Sequence, residues 1–232
     1  MALLSYKTLD DLGYKGYLKK SAPEKVLQFG KGNFLRAFVD YFFDIANEKT
    51  AWNGKVVIAE HSPSNRSEEI NNQDGLYTLY LRGSEKGRKI DDKRIISSVS
   101  RCLNPYADFA GLMAIARSKD LEIIVSNTTE AGIVYDSTAK FDQNPPVNFP
   151  GKLCRVLYER FKAGQKGVII LSCELIDNNG KELENCVIHH AEDWQLGDAF
   201  MKWLKKENVF CTTLVDRIVP GRIRDPQELA AM

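Results

Sequence analysis

A glycine-rich segment lies where the first predicted strand meets the first predicted helix. It reads Gly30-Lys31-Gly32-Asn33-Phe34-Leu35 and has the pattern G-x-G-x-x-L. Glycines at such a junction let the backbone turn sharply and approach a ligand, and free N–H groups at a helix start favour a pyrophosphate. Leu35 stands where the dinucleotide motif has its third small residue, so the pattern alone is equally compatible with a structural turn. Its position inside a β-α-β unit favours a dinucleotide site.

Charged side chains near this junction bear on the same site. Lys31 and Arg36 either add positive charge at the phosphates or are ordinary solvated cations. Glu60 follows the second predicted strand, where a carboxylate accepts hydrogen bonds from the adenosine ribose and repels a 2′-phosphate. The alternative is a strand-end carboxylate that contacts water. Glu60 therefore favours NAD over NADP, whereas Arg66 nearby favours the opposite.

A polar cluster follows another apolar run. Ser126, Asn127 and Thr128, continued by Thr129 and Glu130, stand at the carboxyl end of a predicted buried strand. Ligands of open α/β sheets bind at that edge, so these hydroxyls and this amide can bind the nicotinamide ribose or carboxamide. The alternative is that Ser126 or Thr128 only caps a turn. The location favours the binding role.

The elements that position these residues alternate between short apolar runs and longer helical ones. Strands are predicted at 26–30, 55–60, 121–126, 167–173 and 210–215, and helices at 34–46, 106–117, 150–162, 181–191 and 194–206. Strand-like runs at 76–81 and 94–99 flank the turn-rich segment 83–87 and predict an inserted β-hairpin, while 61–74 is predicted to be loop.

This alternation predicts the fold class. Strands too apolar to be half exposed, linked by helices, pair in parallel through right-handed crossovers. We therefore expect residues 1–232 to form one doubly wound α/β domain with a mostly parallel Rossmann sheet and an inserted hairpin. The helix at 34–46 is apolar over so wide an arc that we expect it to be covered on more than its sheet-facing side.

Composition narrows the class of protein. The chain of 232 residues carries 32 basic and 31 acidic side chains, so its net charge of +1 gives no electrostatic reason to expect nucleic acid or a membrane surface as a partner. It has neither an apolar run of about 20 residues nor the basic-then-apolar order of a signal peptide. A cytoplasmic protein is expected.

The cysteines and histidines predict no metal site. The five cysteines are scattered and form no C-x-x-C pair, so each is expected to be a reduced core residue. The adjacent His189 and His190 cannot place both rings on one face of a helix or strand.

Five ordered blocks resemble the mannitol dehydrogenase family of long-chain polyol dehydrogenases, and most closely its tagaturonate reductase (altronate oxidoreductase) branch. The blocks cover nearly the whole chain and are residues 29–38, 73–78, 126–133, 173–180 and 214–219. The resemblance implies NAD as cofactor and a metal-independent interconversion of tagaturonate and altronate. It also implies that one segment cradles the dinucleotide, namely Leu27, Gln28, Phe29, Gly30, Lys31, Gly32, Asn33, Phe34, Leu35, Arg36, Ala37 and Phe38.

The same resemblance implies a second, largely helical domain that carries the catalytic lysine, followed by an asparagine and a histidine. The chain ends at Met232, where that domain is expected to begin, so no catalytic residue is assigned within it. Asp216 and Arg217 are expected near the domain junction, either at the sugar-acid substrate or in an ion pair that braces the junction. Polyol-specific members have an asparagine after the acidic residue of a Cys-Asp-Asn block, whereas here Leu175 follows Glu174.

Two other functions remain open. Fructuronate reductases and mannitol-type dehydrogenases share every cofactor argument given above. A domain that binds NAD without catalysis, as a sensor or scaffold, is the alternative from another class.

Overall fold

The computed structural model describes residues 3–60, 63, 67–129 and 131–230. The strands are β1 (Glu24–Phe29), β2 (Lys55–Ala59), β3 (Tyr77–Glu85), β4 (Arg88–Ile96), β5 (Val99–Leu103), β6 (Ile123–Ser126), β7 (Ile169–Ser172) and β8 (Val209–Cys211). The helices are α1 (Tyr6–Asp11), α2 (Asn33–Ala37), α3 (Val39–Lys49), α4 (Ser67–Asn71), α5 (Phe109–Arg117), α6 (Phe149–Lys162), α7 (Asn179–Asp193), α8 (Asp198–Glu207) and α9 (Pro226–Ala230).

Six strands form one parallel sheet in the order β5-β2-β1-β6-β7-β8, and β3 pairs with β4 in a separate antiparallel hairpin. From β1 the chain builds outward through β2 and β5, then returns to the other side of β1 to add β6, β7 and β8. This is the doubly wound Rossmann arrangement. The predicted fold class is confirmed, including the inserted hairpin.

The sheet is buried on both faces, which explains its apolar strands. Along β1, Leu27 and Phe29 point to one face, where they pack with residues of α5, α6, α7 and α8 in what we term the four-helix face. Val26 points to the other, the hairpin face, where it packs with Leu35 and Val39 of the first crossover. The four-helix face includes Cys154 and Cys186, and the hairpin face includes Cys102 and Cys173.

The predicted helix at 34–46 is two helices. Phe38, with φ −119° and ψ −74°, separates α2 from α3. The buried side of α3 is mainly polar, since Asp40, Asp44 and Asn47 point inward while Phe42 is 51% exposed. Phe42 is thus the part of the predicted apolar arc that the described residues leave open.

The hairpin is tied to α3 by buried polar contacts. The Arg94 guanidinium binds the carboxylates of Asp44, at 2.5 Å, and Glu48, at 2.8 Å. Asp44 also accepts hydrogen bonds from the Ser97 N–H and hydroxyl, at 2.8 and 3.0 Å. The Tyr77 hydroxyl donates to the Arg36 carbonyl at 2.8 Å and lies 3.3 Å from the Asp40 carboxylate.

Other boundaries differ from the predictions. The run at 94–99 is divided, because β4 ends at Ile96 and Val99 begins the edge strand β5, which was not predicted as a strand of the main sheet. The predicted loop 61–74 contains α4, and the predicted strand 210–215 is the shorter β8 followed by residues without regular secondary structure. Within the described ranges, no helix is both long enough and apolar enough to cross a membrane.

Candidate dinucleotide-binding site

The carboxyl ends of β1 and β6 form the topological switch point of the sheet. β1 and β6 are neighbours, yet the chain leaves β1 toward β2 and leaves β6 toward β7 on the opposite side. In open α/β sheets the loops that follow such a pair of strands diverge, and ligands bind in the crevice between them. Gly30 begins one loop and Asn127 begins the other, so the two predicted segments meet at this point.

Gly30 permits the close approach of these loops. Its φ of +116° is a conformation that residues with a side chain rarely adopt, and a Cβ here would lie 2.9 Å from the Asn127 carbonyl oxygen. Gly32 differs, because its φ is −58° and a Cβ there would meet no atom within 4 Å. Among the described residues, the space where a Gly32 side chain would begin is thus unoccupied.

Most residues of the segment 27–38, which was predicted to bind the dinucleotide, are buried or partly buried. Leu27, Phe29, Leu35 and Ala37 are core residues, and Phe34 and Phe38 are partly buried against the hairpin face. Gln28 is also buried, and its amide donates to the Gly30 carbonyl at 3.1 Å. Gly32 and Asn33 are the exposed residues of this segment, and Lys31 and Arg36 are partly exposed.

Glu60 is buried at the end of β2. Its side chain is 1% exposed, and the Lys31 ammonium binds its Oε1. Its Oε2 is also buried and has no hydrogen-bond partner among the residues that the structure describes. The alternative of a carboxylate that simply contacts water is wrong. Arg66, which argued against NAD preference, lies outside the described residues, as do His61 and Glu130.

Arg36 is held by the protein. Its guanidinium donates to the Asn33 side-chain oxygen at 2.5 Å and lies over the Tyr77 ring, 5.4 Å from its centroid. Both predicted cations, Lys31 and Arg36, thus have protein partners in this structure.

Glu174 organises the loop after β6, and the sequence analysis did not assign it a site role. Its carboxylate is 2% exposed and accepts hydrogen bonds from the Ser126 hydroxyl at 3.1 Å, the Thr128 N–H at 3.0 Å and the Thr128 hydroxyl at 3.2 Å. The Asn127 amide donates to the Cys173 carbonyl at 2.5 Å. The polar groups expected to face a nicotinamide are therefore engaged with the end of β7.

The segment after β8 runs back toward the first crossover. The Thr213 hydroxyl donates to the Ser172 carbonyl at 2.5 Å, and Val215 packs on the hairpin face. The Arg217 guanidinium lies over the rings of Phe38 and Tyr41, 5.7 and 5.4 Å from their centroids. Asp216 points outward. Arg217, and with it the neighbouring Asp216, thus lies beside α2 and α3. Two roles were predicted for these residues, contact with the substrate or an ion pair that braces the junction. The contacts of Arg217 in this structure are with aromatic rings.

A cavity of about 480 Å³ lies at the opposite edge of the sheet, around the amino ends of β1, β2 and β5. Its cations have partners within the protein. Lys20 pairs with Asp10 at 2.7 Å and Arg101 with Glu24 at 2.9 Å. The Lys55 ammonium donates to the Ser97 and Val99 carbonyls, at 2.6 and 3.2 Å. Because these three cations already have partners, we do not assign the dinucleotide to this cavity.

The sequence matches a known family. The family described as mannitol dehydrogenase Rossmann domain matches residues 24–231. An altronate oxidoreductase of Klebsiella pneumoniae is 44% identical over 231 residues, which cover 97% of this chain and 47% of that protein. An altronate oxidoreductase of Bacillus subtilis is 44% identical over 203 residues, which cover 86% of this chain and 42% of that protein. The chain thus spans about half the length of these curated relatives.

The fold also matches a solved structure. A ternary complex of Pseudomonas fluorescens mannitol 2-dehydrogenase with NAD and D-mannitol superimposes with a TM-score of 0.80 at 22% identity, covering 94% of this chain and 48% of that one. At this identity the likeness bears on the fold alone, and it agrees with the Rossmann topology described above.

Proposed function

Because this chain belongs to the mannitol dehydrogenase family, we propose that residues 1–232 are the NAD-binding Rossmann domain of an oxidoreductase that interconverts tagaturonate and altronate. The observation that carries the proposal is the meeting of the Gly30 and Asn127 loops at the switch point of a parallel sheet. The altronate oxidoreductases at 44% identity support the sugar-acid substrate.

The proposal gives each part of the crevice a role. The backbone from Gly30 to Asn33 borders the pyrophosphate, and Glu60 accepts a hydrogen bond from the adenosine ribose. The loop 126–128, fixed by Glu174, borders the nicotinamide half. Bound NAD supplies the hydride acceptor, and the protein contributes mainly binding and orientation. Asp216 and Arg217 lie toward the sugar acid, and a second domain of the whole protein supplies the group that transfers the alcohol proton.

A substitution at Gly32 tests the proposal directly, because it should change the affinity for the cofactor while leaving the stability of the fold nearly unchanged. We expect the 232-residue chain to bind NADH saturably, measured by nicotinamide fluorescence. Gly32→Ala adds one methyl group in open space, so its effect on the free energy of unfolding should stay under about 1 kcal/mol. The same methyl group would stand between the backbone and the pyrophosphate, so NADH affinity should fall at least about tenfold.

Gly83→Ala is the matched control, because a Cβ at Gly83 also meets no atom within 4 Å and the residue lies on the hairpin. It should leave the NADH affinity unchanged. Absence of saturable binding at millimolar NADH would contradict the proposed cofactor, and equal affinities in the two alanine variants would contradict the proposed location.

The substrate requires the whole protein. Its rates of NAD reduction with altronate, with mannonate (the alcohol that a fructuronate reductase forms) and with mannitol should be compared side by side, and altronate should be oxidised most efficiently. A preference for mannonate or mannitol would assign the chain to a different activity of the same family.

A further inference from the structure

The ion pair between Lys31 and Glu60 is built by the register of the central strands. Phe29 of β1 pairs with Ala59 of β2, and the Gly30 N–H donates to the Ala59 carbonyl at 3.0 Å. Lys31 and Glu60 stand one step beyond this contact on neighbouring chains. Their side chains consequently meet over the ends of the two strands, and the Lys31 ammonium binds Glu60 Oε1.

Glu60 is a buried acceptor that is only half satisfied. Its side chain is 1% exposed, and Oε2 has no hydrogen-bond partner among the residues that the structure describes. A buried carboxylate oxygen without a donor is unfavourable, and in native structures such a group commonly has a functional partner. A ribose hydroxyl of the dinucleotide is a donor of the required kind.

Lys31 changes the charge that a ligand meets there. A lone carboxylate at the end of the second strand repels a 2′-phosphate, which is why it favours NAD. Here an ammonium group contacts the same carboxylate, and its side chain remains 20% exposed. The ribose end of the crevice therefore presents a pair of opposite charges in place of a single negative one, and the ammonium lowers the repulsion that a 2′-phosphate meets.

We infer that Lys31 is a specificity-determining residue, which together with Glu60 sets the discrimination between dinucleotides with and without a 2′-phosphate. This inference rests on the proposed function. It predicts that Glu60 alone does not fix the cofactor preference, and that removal of the Lys31 charge makes the site more selective for NADH.

The measured quantity is the ratio of the Kd for NADPH to the Kd for NADH, from fluorescence titrations of the 232-residue chain. Lys31→Gln should raise this ratio about five- to tenfold, since one partly buried charge contact to the 2′-phosphate is lost. Glu60→Gln should lower the ratio, because the repelling charge is removed. Lys31→Arg keeps the charge and should keep the ratio near that of the unmodified chain.

Lys205→Gln is the matched control: it removes one positive charge from an exposed position in the last turn of α8 and should leave the ratio unchanged. The effect of Lys31→Gln should shrink at high salt, as expected of an electrostatic contribution. Thermal unfolding of each variant establishes that it is folded.

Two failures are distinguishable. If the unmodified chain binds neither dinucleotide, the proposed function is wrong. If it binds NADH but Lys31→Gln leaves the ratio unchanged, or weakens both dinucleotides equally, the function stands and the role of Lys31 in specificity is overturned.

Discussion

At the scale of single residues, buried carboxylates hold the surroundings of the crevice together. Asp40, Asp44, Glu60 and Glu174 are each at most 2% exposed. Burial of a charge is tolerated when donors surround it, and removal of either partner of such a contact is costly. Each of these carboxylates contacts a residue far away in the sequence, and it thereby helps to fix two elements relative to each other.

Glu174 gives a prediction about stability. Glu174→Ala leaves the Ser126 hydroxyl and the N–H and hydroxyl of Thr128 without their acceptor, so the free energy of unfolding should fall by about 2–4 kcal/mol. Glu174→Gln keeps one acceptor oxygen and should lose less. Urea denaturation measures both, with Leu175→Ala as control because Leu175 is 64% exposed. Equal stability of Glu174→Ala and Leu175→Ala would show that this carboxylate does not hold the loop.

Asp40 gives a prediction about pH. Burial raises the pKa of Asp40 to about 7, although hydrogen bonds from Gln28 and Tyr77 oppose the shift. Between pH 4 and 7 the folded chain therefore holds a proton that the unfolded chain releases. The contribution of Asp40 to stability is fully present below pH 4 and is lost as the pH rises to 7, at up to about 1.4 kcal/mol per pH unit.

Asp40→Asn removes this titration. The stability of the variant relative to the unmodified chain should improve steadily from pH 4.5 to pH 7 and then level off. Urea midpoints measured across this range test the prediction, and parallel stability curves for the two proteins would refute it.

At the scale of elements, the hairpin β3–β4 depends on side-chain contacts for its position. Among the described residues it shares no hydrogen-bonded ladder with the six-stranded sheet. Arg94 holds it to α3 through Asp44, which is fully buried, and through Glu48, which is 26% exposed. Arg82 lies on the same hairpin but pairs with Asp91 across two side chains that are 43% and 49% exposed.

These two arginines form a matched comparison. Arg94→Met leaves Asp44 as a buried charge without its cation, so the free energy of unfolding should fall by about 3 kcal/mol. Arg82→Met removes an exposed pair, and the change should stay within about 1 kcal/mol. Chemical denaturation of both variants measures the two losses in free energy of unfolding. Similar losses would mean that the hairpin is held by other contacts.

The sequence predicts an element well where a local pattern is sufficient. The runs that became β1, β2, β6 and β7 are continuously apolar because both faces of a parallel sheet are covered, and the turn at Lys86 and Gly87 identifies the hairpin. The break at Phe38 was not predictable from the period, because the aromatic spacing continues through it. The inward side of α3 was missed because Asp40 and Asp44 are satisfied by the distant residues Tyr77 and Arg94.

The residues of the candidate site also differ in how well the sequence predicts them. Gly30 and Gly32 were predicted from the glycine pattern at the end of a strand, and Glu60 from its position at the end of the next strand. The partners that fix them, such as Lys31 on Glu60 and Glu174 on Thr128, depend on the register and order of strands. These are long-range properties that one sequence does not reveal.

At the scale of the whole molecule, the two faces pack on a shared sheet whose edge carries the candidate site. A ligand that binds only the folded chain stabilises it by mass action. NADH at 100 times its Kd should therefore add about 2.7 kcal/mol. For a domain of this size the Tm should rise by about 5–10 °C.

Scanning calorimetry with increasing NADH tests this prediction, and at the same concentrations a tenfold weaker affinity should give Gly32→Ala about half the rise in Tm. A Tm independent of NADH would contradict binding to the folded domain. Gly83→Ala should follow the unmodified chain throughout.

Because buried thiols lie on both faces of the sheet, their reactivity can report the unfolding of each face. Cys154 and Cys186 belong to one layer and Cys102 and Cys173 to the other, and all four are buried. Burial raises the pKa of Cys102 to about 12 and that of Cys173 to about 11, so the native chain holds them as unreactive thiols. Pulsed alkylation followed by peptide mass spectrometry can therefore time the opening of each layer separately, without any introduced label.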